Sequence, residues 1–101
     1  MSDPFLCRGV RREKGFDQAA ADIYGSVRNA DEILFGIEFV LARTPLTYSV
    51  GSASFEGVTV HAIRVGAPPK WPAATVYYTS DEQYVTLLSV KRCADDLLEQ
   101  E

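Results

Sequence analysis

Residues 74–90, Ala-Thr-Val-Tyr-Tyr-Thr-Ser-Asp-Glu-Gln-Tyr-Val-Thr-Leu-Leu-Ser-Val, constrain the fold more than any other stretch of this chain. Two runs rich in Val, Tyr, Thr and Leu, Ala74 to Thr79 and Tyr84 to Val90, flank the polar residues Ser80, Asp81, Glu82 and Gln83. Such residues suit a pleated, partly buried surface, and the polar interruption suits a turn, so the spacing predicts a β-hairpin. In the second run Tyr84, Thr86, Leu88 and Val90 alternate with Val85, Leu87 and Ser89. Large apolar groups fall on both faces, which predicts an interior strand covered on both sides. Tyr77 and Tyr78 also alternate, so one belongs to the core and the other presents its hydroxyl.

The remainder reads as cover for that hairpin. Residues 1–15 lack periodicity and form either an arm or a short strand, with Phe5-Leu6-Cys7 the segment able to pair. Their basic residues read as a solvated face. Asp17 is placed to cap a short helix over Gln18 to Tyr24, with Gly25 at its exit. Asn29 and Glu32 have the spacing of a capping box for a second helix. Ile33, Ile37, Val40 and Leu41 supply its apolar stripe, widened by Leu34 and Phe39, and Pro45 ends it near Arg43 or Thr44. Gly36 inside that helix implies either a close backbone approach or a tolerated penalty of about 1 kcal/mol. Leu46 to Phe55 reads as a loop, with Tyr48-Ser-Val50 as a short strand at most. Val58 to Val65 reads as a strand. Gly66 to Pro72, with three prolines in seven residues, reads as irregular. Ala94 to Glu101 reads as a short acidic tail of one or two helical turns.

Sequential strands favour a meander, so the expected fold is α+β: an N-terminal helical hairpin packed on a small antiparallel sheet, in a single domain spanning residues 1–101. Composition is ordinary for such a domain, 47% apolar and 24% charged. No apolar run approaches the roughly 20 residues that cross a bilayer, and no signal-peptide pattern opens the chain, so a cytoplasmic protein without a membrane partner is expected. In that compartment Cys7 and Cys93 are expected to be free thiols. Two cysteines and His61 do not make a four-ligand metal site, and neither metal nor cofactor is expected. The net charge of −4 argues against broad, non-specific nucleic-acid binding. Charge is uneven, however: Arg8, Arg11, Arg12 and Lys14 against Glu13 make residues 8–14 locally basic, and Asp95, Asp96, Glu99 and Glu101 make the tail acidic.

Three motifs in order, Leu41-Ala-Arg-Thr-Pro45, Ala62-Ile-Arg-Val65 and Val76-Tyr-Tyr-Thr79 followed by Val85-Thr-Leu-Leu-Ser-Val-Lys-Arg92, resemble the RelE/ParE superfamily of bacterial toxins over residues 17–92. The resemblance implies the toxin of a type II toxin–antitoxin pair. It is then either an mRNA endoribonuclease acting on the ribosome or a catalytically degenerate relative. Cleavage in that family helps a ribose 2′-OH attack the neighbouring phosphate, which needs a base, cations for the phosphorane and an acid. The resemblance places Arg64 and Arg92 at its catalytic basic positions. Its second basic strand position is Ala62 here, its next-strand arginine falls at Ala73 or Ala74, and no aromatic residue follows Tyr84. Lys70, Trp71 and Lys91 are candidates for contacting nucleic acid or a protein partner. Trp71 either stacks on a base or caps the core. His61 is more simply a hydrogen-bonded strand residue than a base. A cognate antitoxin is the implied partner, and a homodimer is compatible with the same chain. The alternative reading is a non-catalytic protein-binding module on the same fold.

Overall fold

The computed structural model describes residues 8–67 and 70–93, with Ala67 described by its backbone alone. The elements follow in the order β1 (Gly9–Arg12), α1 (Phe16–Tyr24), α2 (Val27–Arg43), β2 (Gly51–Phe55), β3 (Val58–Ala67), β4 (Trp71–Ser80) and β5 (Tyr84–Arg92). The strands form one five-stranded sheet ordered β1-β5-β4-β3-β2. The meander expected from β3 through β5 is present, extended by β2. The sheet is mixed rather than antiparallel, because β1 pairs parallel to β5, with Val10 beside Val85 and Arg12 beside Leu87. The expected strand at Phe5-Leu6-Cys7 and the tail at 94–101 lie outside the described residues. No helix among the described residues is long and apolar enough to cross a membrane.

Both helices pack on one face of the sheet. Phe16, Ala20 and Tyr24 of α1 and Ala30, Leu34 and Leu41 of α2 meet Ile63, Val65, Ala74, Val76, Tyr78, Val85, Leu87 and Val90 in one buried cluster. Leu34, Leu41, Val76, Tyr78, Val85 and Leu87 are fully removed from water, each contributing about 1.5–3 kcal/mol for the larger side chains. The Tyr78 hydroxyl donates to the Pro45 carbonyl just beyond α2, and burial pushes its pKa up, partly offset by Ser49.

Several local expectations are corrected by hydrogen bonds that composition does not reveal. α1 starts at Phe16, and its N-cap is Gly15 in the left-handed region without a side-chain bond; Asp17 instead pairs with Arg12. α2 starts two residues before Asn29, capped by the Ser26 hydroxyl, which accepts from the Asn29 amide at 3.1 Å. The Asn29 side chain donates back to the Tyr24 carbonyl at 3.0 Å, so it closes the exit of α1 rather than the entry of α2. Thr44 caps the C-terminus of α2, as Pro45 requires. The predicted loop 46–55 contains β2, displaced C-terminally from Tyr48-Ser-Val50; its five residues are all exposed, so no apolar alternation signals it. A two-residue turn at Glu56 and Gly57, both at positive φ, joins it to β3.

The proline-rich link is shorter than its composition suggests. β3 continues to Ala67 and β4 begins at Trp71, with Ala67 paired to Trp71 after a register shift beyond Val65. Pro72 sits beyond the last β5 partnership, Ala74 with Arg92, where its missing N–H is harmless. A second register shift, between Tyr77 and Tyr78 on β4, changes β5. Tyr78 pairs with Leu87 and Tyr77 with Ser89, so Leu88 is the extra residue. Val90 therefore joins Val85 and Leu87 on the helix side, against strict alternation. β5 is interior, as expected, but the helices cover one of its faces rather than both.

Gly36 has only open space where a Cβ would stand, so within one chain the helix tolerates its penalty. Gly36→Ala is expected to raise stability by about 1 kcal/mol, read by urea denaturation in dilute solution. The turn between β4 and β5 is held by Asp81, whose carboxylate accepts from the Gln83 and Tyr84 amides, both at 2.7 Å. Those bonds hold its pKa below the ordinary value, with Arg11 and Arg8 adding to the effect. A depressed native pKa contributes stability that is present above the unfolded value of about 4 and is lost as pH falls through the native one. Tm measured from neutral pH into acid should therefore fall less steeply below pH of about 4 in Asp81→Asn than in the parent.

Candidate functional site

The sheet face away from the helices is where the strands gather hydroxyl and cationic side chains. Register places side chains in rungs across neighbouring strands. Arg64, Thr75 and Lys91 stand abreast on β3, β4 and β5. The next rung carries Ala62, Tyr77 and Ser89. The third carries Thr79, Thr86 and Arg11, the last from β1. Hydroxyls thus run down the middle, from Thr75 through Tyr77 to Thr79 on β4 and from Thr86 to Ser89 on β5. Cations flank them: Arg64 and Lys91 at one end, about 10 Å apart across two strand spacings, and Arg11 at the other. Among the described residues no carboxylate stands on these rungs.

The Arg11 corner is held by its neighbours. Its guanidinium lies 3.9 Å from the centre of the Tyr84 ring and donates to the Thr86 hydroxyl at 3.3 Å. Gly9 leaves room for that ring, since a Cβ there would come within 3.0 Å of it. Arg8 donates to the Asp81 carbonyl at 2.7 Å. Arg12, one residue along β1, points to the opposite side. There it meets Asp17 at 2.5 Å, Asp31 at 3.0 Å and Glu38 at 2.8 Å. Burial alone would lower its pKa, but the three carboxylates outweigh that and raise it. The basic segment expected to be a solvated face is therefore mostly engaged, and Arg12 ties β1 to both helices.

This arrangement segregates charge. Asp17, Asp22, Asp31, Glu32 and Glu38 belong to the helical layer, whereas the open rungs carry only cations and neutral groups. A net negative chain can in this way present a locally positive face.

The five residues singled out from sequence do not converge. Arg64 and Lys91 share the open face. Arg92 pairs with Ala74, in phase with Val90 and Val76, and so projects from the helix side at the exposed rim. Lys70 lies with its ammonium 5.7 Å from the centre of the Trp71 ring. Trp71 is half-buried, packs against the core and meets Tyr24 edge-on at 6.3 Å, while the Tyr24 hydroxyl donates to the Pro72 carbonyl at 3.1 Å. His61 is also on the helix side, tilted over the Tyr78 ring at 5.5 Å. Cys93 is a buried free thiol whose sulfur lies 3.2 Å from the Thr75 hydroxyl; Cys7 lies outside the described residues. Sequence reasoning missed Arg11 and the serine and threonine rungs. Alternation through β4 was the signal for Tyr77, but Arg11 required knowing that β1 joins the sheet in parallel.

Fold and face together define an α+β protein with helices on one side of a mixed sheet and a hydroxyl-lined, cation-flanked surface on the other. No protein-family model, curated protein or solved structure matches the chain.

Proposed function

We propose that this chain is the toxin of a RelE/ParE-like type II toxin–antitoxin pair and that its open sheet face binds a sugar–phosphate backbone. The observation that carries the reading is the flanking of a hydroxyl-lined track by Arg64, Lys91 and Arg11, with no carboxylate on the same rungs among the described residues. Arginine, lysine, serine, threonine and tyrosine are the side chains that contact phosphate and sugar oxygens. A guanidinium adds a planar fork of donors, and guanidinium and ammonium alike would stabilise charge developing on an attacked phosphate. In this reading mRNA on the ribosome is the target, and a cognate antitoxin restrains the protein in the cytoplasm.

The second reading, a non-catalytic binding module, is favoured by one specific feature. The three rungs hold neither carboxylate nor imidazole, so Tyr77 is their only phenolic proton-transfer group. Binding is chemically well provided for there, and general-base catalysis is not.

Induced expression in a bacterial host with translation monitored separates the two. The toxin reading expects growth arrest and falling protein synthesis, both relieved by Arg64→Ala and by Lys91→Ala. Arg92→Ala, on the other side of the sheet, is the internal comparison. If it alone relieves arrest, the acting surface is the helix-side rim. Normal growth with abundant soluble protein would sink the toxin reading and leave the binding module. Mapping of mRNA ends during arrest then distinguishes a nuclease from a degenerate relative.

A further inference from the structure

The outward face of α2 has an order of residues that the single chain does not use. Phe35 and Phe39 are 73% and 54% exposed. With about 3.6 residues per turn, Glu32, Phe35, Gly36, Phe39 and Arg43 fall within an arc of about 100°. From Glu32 to Arg43 the arc runs from an acid through aromatic residues and glycine to a base; exposed Arg28 lies on the same arc one turn before Glu32, outside that segment. Glu32 and Arg43 are separated by about 16 Å along the axis, too far to pair with each other. Neither Glu32 nor Arg43 takes part in the ion-pair cluster of Arg12. Arg43 lies 3.8 Å over the Phe39 ring, which holds its charge at the end of the apolar stripe. Gly36, between the two aromatic positions, leaves a gap with nothing within 4 Å of its would-be Cβ.

We propose that α2 packs against α2 of a second copy of this chain, antiparallel, about a two-fold axis passing between Ile37 and Glu38. In that register Glu32 of each copy faces Arg43 of the other, and Phe39 of each enters the gap over Gly36 of the other. An acid–apolar–base order complements itself only when reversed; a parallel pairing would set like charges side by side. A two-fold contact satisfies both ends at once. The close approach would also give the helix a reason for its mid-helix glycine. An anionic membrane surface fits poorly, because Asp22, Asp31, Glu32 and Glu38 belong to the same helical layer. One helix pair lies at the small end of specific interfaces, so association in the micromolar range is expected.

Sedimentation of the full chain across about 1–300 μM tests this, with circular dichroism confirming that each variant is folded. The parent should form a dimer in that range. Glu32→Arg and Arg43→Glu should each weaken it by about tenfold, since each creates two like-charge contacts. Combining the two reversals should restore association to within about threefold of the parent, which a merely sticky surface would not do. Gly36→Leu, which fills the gap, should also weaken it. A parent that stays monomeric at the highest concentration overturns the proposal. So does a dimer indifferent to the single reversals, or one that the double reversal fails to recover.

Discussion

Gly66→Ala is expected to remove about 3–4 kcal/mol of stability, a large fraction of what a domain of this size possesses. Gly66 has φ +104°, a conformation that a side chain resists, and a Cβ there would stand 2.3 Å from the Pro72 carbonyl oxygen and 3.0 Å from the Ala73 Cα. Both obstacles are backbone, so neither can swing aside. Relief requires moving the start of β4 or undoing the bulge beyond Val65, which would shift Trp71 off Tyr24. Gly15 provides the comparison, because it has φ +89° but open space around its would-be Cβ. Gly15→Ala should cost only the conformational strain, about 1 kcal/mol. Urea denaturation of the two variants measures the difference. Equal effects would mean that the bulge does not pack as described.

Removing the Arg12 guanidinium is expected to cost about 2–3 kcal/mol, between the values typical of exposed and buried ion pairs. The intermediate figure follows from the surroundings. Asp17 and Asp31 are more than half exposed and can turn to water, whereas Glu38, like Arg12, retains only 23% of its side-chain exposure. Arg12→Ala leaves three carboxylates around an empty place. Arg12→Lys restores one charge but not a fork able to meet three partners, and should recover less than half of the loss. Arg12→Met with Glu38→Leu should recover part of it by removing the uncompensated carboxylate together with the cation. A loss of less than about 0.5 kcal/mol in Arg12→Ala would show that the cluster is solvated like an ordinary surface pair.

The parts of the fold legible in the sequence were those with strong periodicity. The stripe Ile33, Ile37 and Leu41 announces α2, and the two Val- and Tyr-rich runs announce β4 and β5. What the sequence hides is long-range. Nothing local to Gly9-Val-Arg-Arg12 indicates a strand that pairs across the chain with β5, and without that pairing Arg12 and Arg11 look like solvent-facing charges. β2 has no apolar alternation because both its faces are exposed. Leu88 breaks the alternation of β5 through a bulge that no residue type marks. Ser26 rather than Asn29 caps α2, and the Asn29 side chain donates to the Tyr24 carbonyl instead. In the open face, Arg64 and Lys91 were legible singly, but their alignment across Thr75, and the separation of Arg92 from them, depended on register.

The parallel docking of β1 beside β5 has a further consequence for synthesis. Residues 9–12 find their partners only at residues 84–87, so β1 must wait for β5. During translation this sheet cannot close until residues 84–92 have left the exit tunnel, and Lys91 reaches its place beside Thr75 only then. A nascent chain stopped short of β5 therefore lacks the assembled basic surface.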